Sequence, residues 1–251
     1  MIGCIIQARM GSTRLPGKVL KKLDEEKNVL NYIIEQLSYS KTIQKIIIAT
    51  SKNSEDKKIV EFCKNNNIEY FIGSEKDVLD RHYQCAKKFR LTEIIRIPSD
   101  KPLIDPFLLD RMVKIYLEKK YDYVTNFLEF TFPFGTEIEI FSFDILCKIW
   151  NEARLNSERE HVTPYIYKNP KKFKIFNLKN RRNMSQLRWE LDREEDLFVI
   201  RKIIKHIKKR PILIEDVIEL SKKEPKIFQI NKNINPLEGY LKSLNEDENE
   251  K

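Results

Sequence analysis

Short apolar runs alternate along the chain with longer segments of helical spacing. Ile2–Ala8, Ile46–Thr50, Ile68–Ile72, Ile94–Ile97 and Tyr121–Thr125 are brief and rich in Ile, Val or Tyr. Such runs suit strands buried on both faces of a sheet. Between the first two, Val29, Leu30, Ile33, Ile34 and Leu37 mark one face of a helix. Ser54–Asn66, Lys76–Phe89 and Pro106–Lys119 read the same way, with Pro106 suited to a first helical turn. Strand and helix in strict alternation predict an α/β fold, Rossmann-like and doubly wound, with a mainly parallel sheet.

The second half is less regular. Glu137–Phe143 alternates as a strand, Phe143–Ala153 and His161–Tyr167 read as helices, and Phe173–Leu178 as extended. A short strand over Leu187–Leu191 and helices over Glu194–Ile207 and Ile214–Ser221 complete the prediction. We expect one domain over residues 1–244, with a nucleotide-binding half to about 125 and an acceptor half after it, and a frayed polar tail over Asn245–Lys251.

Composition narrows the class. Fourteen Phe and ten Tyr in 251 residues exclude a disordered chain, although charged residues reach 34%. The net charge of +9 is scattered, and the basic clusters Lys179–Arg182 and Lys208–Arg210 are short. A duplex binder concentrates its charge on one stripe, so no nucleic-acid partner is expected. Cysteines 4, 63, 85 and 147 have neither zinc-site nor disulfide spacing and read as reduced core residues. Met1–Cys4 has a lipoprotein-like look but no apolar stretch before it, and no run approaches a membrane span. The expected setting is cytoplasmic.

The densest chemistry lies in Ile5-Ile6-Gln7-Ala8-Arg9-Met10-Gly11-Ser12-Thr13-Arg14-Leu15-Pro16-Gly17-Lys18. Glycines expose backbone N–H groups to a ligand, and Arg9, Arg14 and Lys18 neutralise polyanionic oxygens. Val19 follows Lys18 where a Walker A loop needs Ser or Thr, and no G-x-G-x-x-G is present. Glu137 and Glu139, two apart in an alternating strand, project from one face, either into a site or into solvent.

From Gln7 to Lys18 the chain resembles the SpsF-type cytidylyltransferases, relatives of the enzymes that activate sialic acids and octulosonate as CMP-sugars. Gly73–Arg81, Asp100 with Pro102-Leu103-Ile104-Asp105, Gly135–Phe141, Arg159–Ile166, and Leu187-Arg188-Trp189 with Asp192 follow in the family's order. The resemblance implies a fold of the nucleotide-diphospho-sugar transferase (GT-A-like) kind. It implies attack by an acceptor hydroxyl on the α-phosphorus of CTP, with Mg²⁺ as cofactor and an acidic sugar as acceptor, in surface-polysaccharide or glycoconjugate synthesis. A homodimer contact through about Phe127–Arg182 is also implied.

Residue by residue, it assigns Arg9, Lys18 and Asp100 to catalysis, and Asp100 and Asp192 to the metal. Gln7, Ala8, Arg9, Met10, Gly11, Ser12, Arg14, Lys18, Ser74, Asp77, Arg81 and Ser99 would bind nucleotide. Glu137, Glu139, His161 and Arg188 would meet the acceptor. Simpler roles stay open: a turn residue for Asp100, an N-cap for Asp192, a structural hydrogen bond for His161, and an ion pair for Arg188.

The chain departs from the family's pattern in several places. Pro98 and Lys101 flank Ser99 and Asp100, Phe134 stands where a polar residue is usual, Glu137 replaces Asp, and Arg193-Glu194 replaces Thr-Pro. A glycosyltransferase on the same fold is the rival reading, but Asp100 is followed by Lys101-Pro102 rather than completing an Asp-x-Asp. A catalytically silent binding subunit is disfavoured by the presence of Arg9, Lys18 and Asp100. A nucleotidyltransferase acting on a phosphorylated small acceptor is the other alternative.

Overall fold

The computed structural model of the protein describes residues 1–249. In chain order the elements are β1 (Ile2–Gln7), α1 (Val29–Ser38), β2 (Lys45–Ser51), α2 (Lys57–Asn65), β3 (Glu69–Gly73), α3 (Val78–Lys88), β4 (Glu93–Pro98), α4 (Pro106–Lys119), β5 (Tyr123–Thr125), β6 (Glu139–Ser142), α5 (Phe143–Glu152), α6 (Asn156–His161), α7 (Pro164–Lys168), β7 (Ile175–Asn177), α8 (Glu194–His206), α9 (Ile214–Lys223), α10 (Pro225–Phe228) and α11 (Glu238–Asn249).

One seven-stranded sheet runs through the molecule in the order β3-β2-β1-β4-β6-β5-β7. The β1–β2, β1–β4, β2–β3 and β5–β7 pairs are parallel, and β6 alone opposes its neighbours β4 and β5. Alternation inside the apolar runs divides their side chains between two cores. Cys4, Ile6, Ile48, Ile95 and Ile97 face one, under α1, α4 and α8, while Ile5, Ile47, Ala49 and Ile94 face the other, under α3 and α5. Both faces are covered, as a doubly wound sheet requires. Helix starts are written locally: Asn28 forms a capping box with Asn31, Asp77 caps α3, Asp105 caps α4 beside Pro106, and Ser142 caps α5.

Several expectations are corrected. The run at Ile68–Ile72 is an edge strand rather than one buried on both faces, and Ile72 is exposed. The predicted strand from Glu137 starts at Glu139, because Asn126 takes up the Ile138 N–H and the Thr136 carbonyl. His161–Tyr167 is not one helix, since Val162 sits at φ 73° and breaks it into α6 and α7. Leu187–Leu191 makes a single bridge, Phe134 to Arg188, rather than a strand. The tail expected to fray from Asn245 is helical to Asn249 as part of α11. Cys4, Cys63 and Cys85 are buried, whereas Cys147 is half-buried. No described helix is long and apolar enough to cross a membrane.

Candidate active site

The carboxyl ends of β1 and β4 lie side by side at the point where strand order reverses, and there the sheet opens into a cavity of about 660 Å³. That is the volume and the place expected of a ligand site in such a sheet. Past Gln7 the loop folds on itself: Gly17 N–H donates to the Met10 carbonyl at 3.0 Å, and Met10 N–H to Asp56 Oδ1 at 2.7 Å. Gly17 has φ 65°, and a side chain added there would meet Met10 Cε, so the turn is tight and needs glycine.

Gln7, Ala8, Arg9, Gly11, Ser12, Arg14 and Lys18 line the cleft from this loop. Met10 packs against the core instead and steadies the loop from behind. Arg81 and Ser99 also line the cleft. Burial, and then the neighbouring Arg9, push the Arg81 guanidinium down to about 10.

Lys18 draws the two proposed metal ligands together. Its Nζ donates to Asp192 Oδ1 at 2.9 Å, to Asp100 Oδ2 at 3.3 Å and to the Leu191 carbonyl at 2.8 Å, while Arg14 pairs with Asp192 Oδ2 at 2.6 Å. Burial alone would raise the Asp100 carboxyl, but Lys18 and Lys101 outweigh it and hold it at about 2. Asp100 Oδ1 is buried with no hydrogen-bond partner.

Deeper in the cleft the charges are interleaved. Lys101 donates to Glu137 and, at 3.4 Å, to Glu190. Arg96 pairs with Glu139 and donates through Nε to Gln7 Oε1 at 3.0 Å, and Tyr123 and Thr163 also donate to Glu139. Burial pushes the Glu190 carboxyl up to about 7, against the pull of Lys101. Glu137 and Glu139 therefore do share the cleft, each clamped by a cation. His161 Nε2 lies 3.0 Å from Ser243 Oγ, which donates to Glu160, and the Tyr240 ring meets the imidazole edge-on. Burial lowers His161 to about 4, so the ring is neutral near pH 7.

Besides Met10, three assigned residues stand elsewhere. Arg188 does not line the cleft: it is buried behind Glu190, donating to it at 2.9 Å and to both oxygens of Asp196 at 3.0 and 3.2 Å. An arginine already spanning two carboxylates has no free edge for an acceptor. Ser74 and Asp77 also lie behind the wall. Ser74 receives Arg81 through its carbonyl and the Asp77 N–H through Oγ, and Asp77 holds Arg159 at 2.6 and 2.8 Å. They position Arg81 and α6.

Residues that pattern reading passed over also reach the cleft: Arg96, Glu160, Glu190, and Tyr240, Lys242 and Ser243 on α11. Arg96 and Glu190 carried a signal, a charge set inside the apolar run Ile94–Ile97 and inside the predicted strand Leu187–Leu191. The residues of α11 carried none, since Glu238–Asn249 is polar and only Ser243 and Asp247 are buried.

A cleft with cations at one end and paired carboxylates at its centre suits a polyphosphate and a polar second substrate. The family model of that description, cytidylyltransferase, matches residues 3–242. The chain is 39% identical over 232 residues to an uncharacterized protein of Methanocaldococcus jannaschii, covering 92% of this chain and 94% of that one. It is 33% identical over 230 residues to the spore coat polysaccharide biosynthesis protein SpsF of Bacillus subtilis, covering 88% and 94%. A solved cytidylyltransferase from Leptospira borgpetersenii superposes with TM-score 0.88 at 36% identity, covering 93% of this chain and 98% of that one. With the match running through nearly the whole fold, including every segment that walls the cleft as far as Lys242, the chain belongs to the CTP-using cytidylyltransferase family.

Proposed function

We propose that this protein transfers CMP from CTP to an acidic sugar, with Mg²⁺, in the synthesis of a surface polysaccharide or glycoconjugate. The observation that carries the reading is the convergence of Asp100 and Asp192 on Lys18, at the mouth of a loop that presents Arg9 and Arg14. In the reaction the acceptor's O–H bond and the bond from the α-phosphorus to the bridging oxygen break. A new bond from the acceptor oxygen to the α-phosphorus forms, and pyrophosphate and a proton leave. Arg9, Arg14 and Lys18 would bind the phosphates and steady the charge of the leaving pyrophosphate.

The donor set fits magnesium. Two carboxylates, one with a buried oxygen that accepts no hydrogen bond, suit an ion that takes one or two protein ligands and fills its shell with phosphate and water. Among the described residues no group of three or more Asp, Glu, His or Cys is arranged to hold a metal by itself. When bound, it would neutralise phosphate charge, and Asp100 and Asp192 would hold it.

With Arg188 removed from the acceptor side, Lys242 is the cation best placed for an acceptor carboxylate. It is exposed at the rim and set loosely against Glu246 at 3.8 Å. Glu137, Glu139 and neutral His161 remain for hydroxyls. The SpsF name supports the polysaccharide setting, and a second copy docking through residues 127–182 belongs to the same reading.

The test is pyrophosphate release across the four nucleoside triphosphates, with and without Mg²⁺, over a panel of acidic, phosphorylated and neutral acceptors. CTP with an acidic sugar should stand out. Turnover confined to a phosphorylated acceptor would replace the acidic-sugar assignment, and sedimentation reads the dimer.

A further inference from the structure

Phe127, Phe130 and Phe134 line the cleft, yet they belong to neither hydrophobic core. Phe132, between them, is buried in one. The Phe130 and Phe134 rings lie 4.8 Å apart, Phe127 is 6.4 Å from Phe130, and Tyr167 meets Phe127 edge-on at 6.2 Å. Each ring is half-buried, with its remaining surface turned to the cavity. Aromatic rings that line a ligand cleft and belong to neither core form a binding surface there.

The wall is preformed. Leu128 N–H donates to Asn177 Oδ1 at 3.0 Å, Phe134 N–H to the Leu187 carbonyl at 2.9 Å, and Trp189 N–H back to the Phe134 carbonyl at 2.9 Å. Gly135, at φ 101°, is pressed so closely on Glu190 that a Cβ would lie 2.6 Å from its backbone nitrogen. Phe134 is thereby fixed against Leu187 and Trp189, on the segment that runs on to Asp192. The C–H face of a polyhydroxylated acid can stack on one ring, but three contiguous rings offer more apolar surface than such an acid covers.

Resting on the CMP-transfer reading of the cleft, we propose that this aromatic wall is a subsite for an apolar substituent of the acceptor, an acyl or short alkyl group. Its hydroxyls would turn toward Glu137 and Glu139. The acceptor is then amphipathic rather than a bare polyhydroxy acid. Ordered aromatic rings lose little entropy on binding, so the gain follows the apolar area they cover.

The probes are N-acetyl, N-propanoyl and N-butanoyl neuraminate, with 3-deoxy-octulosonate as an acid lacking the apolar group, titrated by calorimetry into the full-length protein with CMP present. Affinity should rise about fourfold per added CH₂, and the octulosonate should bind more weakly than every acylated probe. Phe134→Ser and, separately, Phe130→Ser should flatten the series while leaving the Kd for CMP unchanged. A flat series in the wild type, an octulosonate that binds as tightly, or no binding by any acylated probe overturns the subsite. The broader reading fails on a different measurement, the absence of pyrophosphate release from CTP with any acceptor.

Discussion

Lys18 Nζ and Asp192 Oδ1 lie 2.9 Å apart, joining residues 174 positions distant in the chain. The same ammonium reaches Asp100 at 3.3 Å, so one lysine sets the spacing of both carboxylates that we assign to magnesium. Asp100→Asn should cut kcat by at least about 10²-fold, because it removes charge that organises the reacting phosphate. Its Tm should move little, and turnover near wild type at saturating Mg²⁺ would reduce Asp100 to a turn residue.

The phosphate loop separates nucleotides by their length. Arg9→Ala and Lys18→Ala should each weaken CTP binding by roughly 1.5–3 kcal/mol, the range for hydrogen bonds to charged groups. CMP should lose less, having no β- and γ-phosphates. Calorimetry that showed equal losses for the two would move these side chains off the triphosphate.

Arg188 should behave as a structural residue. Asp196 is wholly buried, and its carboxylate receives Arg188 together with the N–H groups of Asp192 and Arg193 at 2.9 and 3.0 Å. Removing one partner of a buried pair costs about 3–5 kcal/mol. Arg188→Ala should therefore lower the urea midpoint and disturb CTP and acceptor use together. Arg188→Lys should recover little, since one ammonium does not span two carboxylates. A rise in the acceptor KM alone, with stability unchanged, would return Arg188 to the acceptor.

Helix α11 is held mainly by polar contacts, with the Tyr240 ring set edge-on against His161. Glu238 pairs with Arg193, Ser243 with Glu160, and Asp247 with the Ser157 N–H, while Leu241 is exposed. An element with so little apolar burial adds little to global stability. Deleting residues 238–251 should leave the Tm almost unchanged and lower acceptor kcat/KM by roughly tenfold or more, since it strips side chains that position the substrate. Wild-type kinetics after the deletion would show that the helix is only a cover.

Stability should fall in mild acid. Burial keeps His82 well below its ordinary 6.5 and His161 at about 4. Below pH 6.5 the unfolded chain takes up protons that these two rings refuse in the native chain, so both add stability as pH rises between about 4 and 6.5, with the raised Glu190 carboxyl opposing them. Urea midpoints across that window should climb, and less steeply in His82→Gln. A His82→Gln profile as steep as that of the wild type would mean that the His82 ring is protonated in the native state.

Periodicity and caps are local properties, and they alone determined the parallel sheet, α1 to α4, and the placing of the Gln7–Lys18 loop at a strand end. The charge-bearing motifs marked most of the cleft for the same reason, since a loop between a strand and a helix has one place to go. What only the tertiary structure decided are the pairings. Arg188 was legible as a charge beside Trp189, but the depth that turned it toward Asp196 depends on α8 packing above it. Glu137 and Glu139 were legible as a pair, whereas their cations come from β4 and the turn after it. Leu237, Tyr240, Leu241 and Leu244 stand at helical spacing, yet Leu237 and Leu241 stay exposed, because the surface on which α11 docks, at Arg193 and Glu160, is polar and exists only once the chain has folded. Nothing in the spacing of Phe127, Phe130 and Phe134 sets them apart from core residues. Their exclusion from both cores follows from sheet geometry, which spends the apolar positions of β5 and β6 on the interior and leaves the loop between them facing the site.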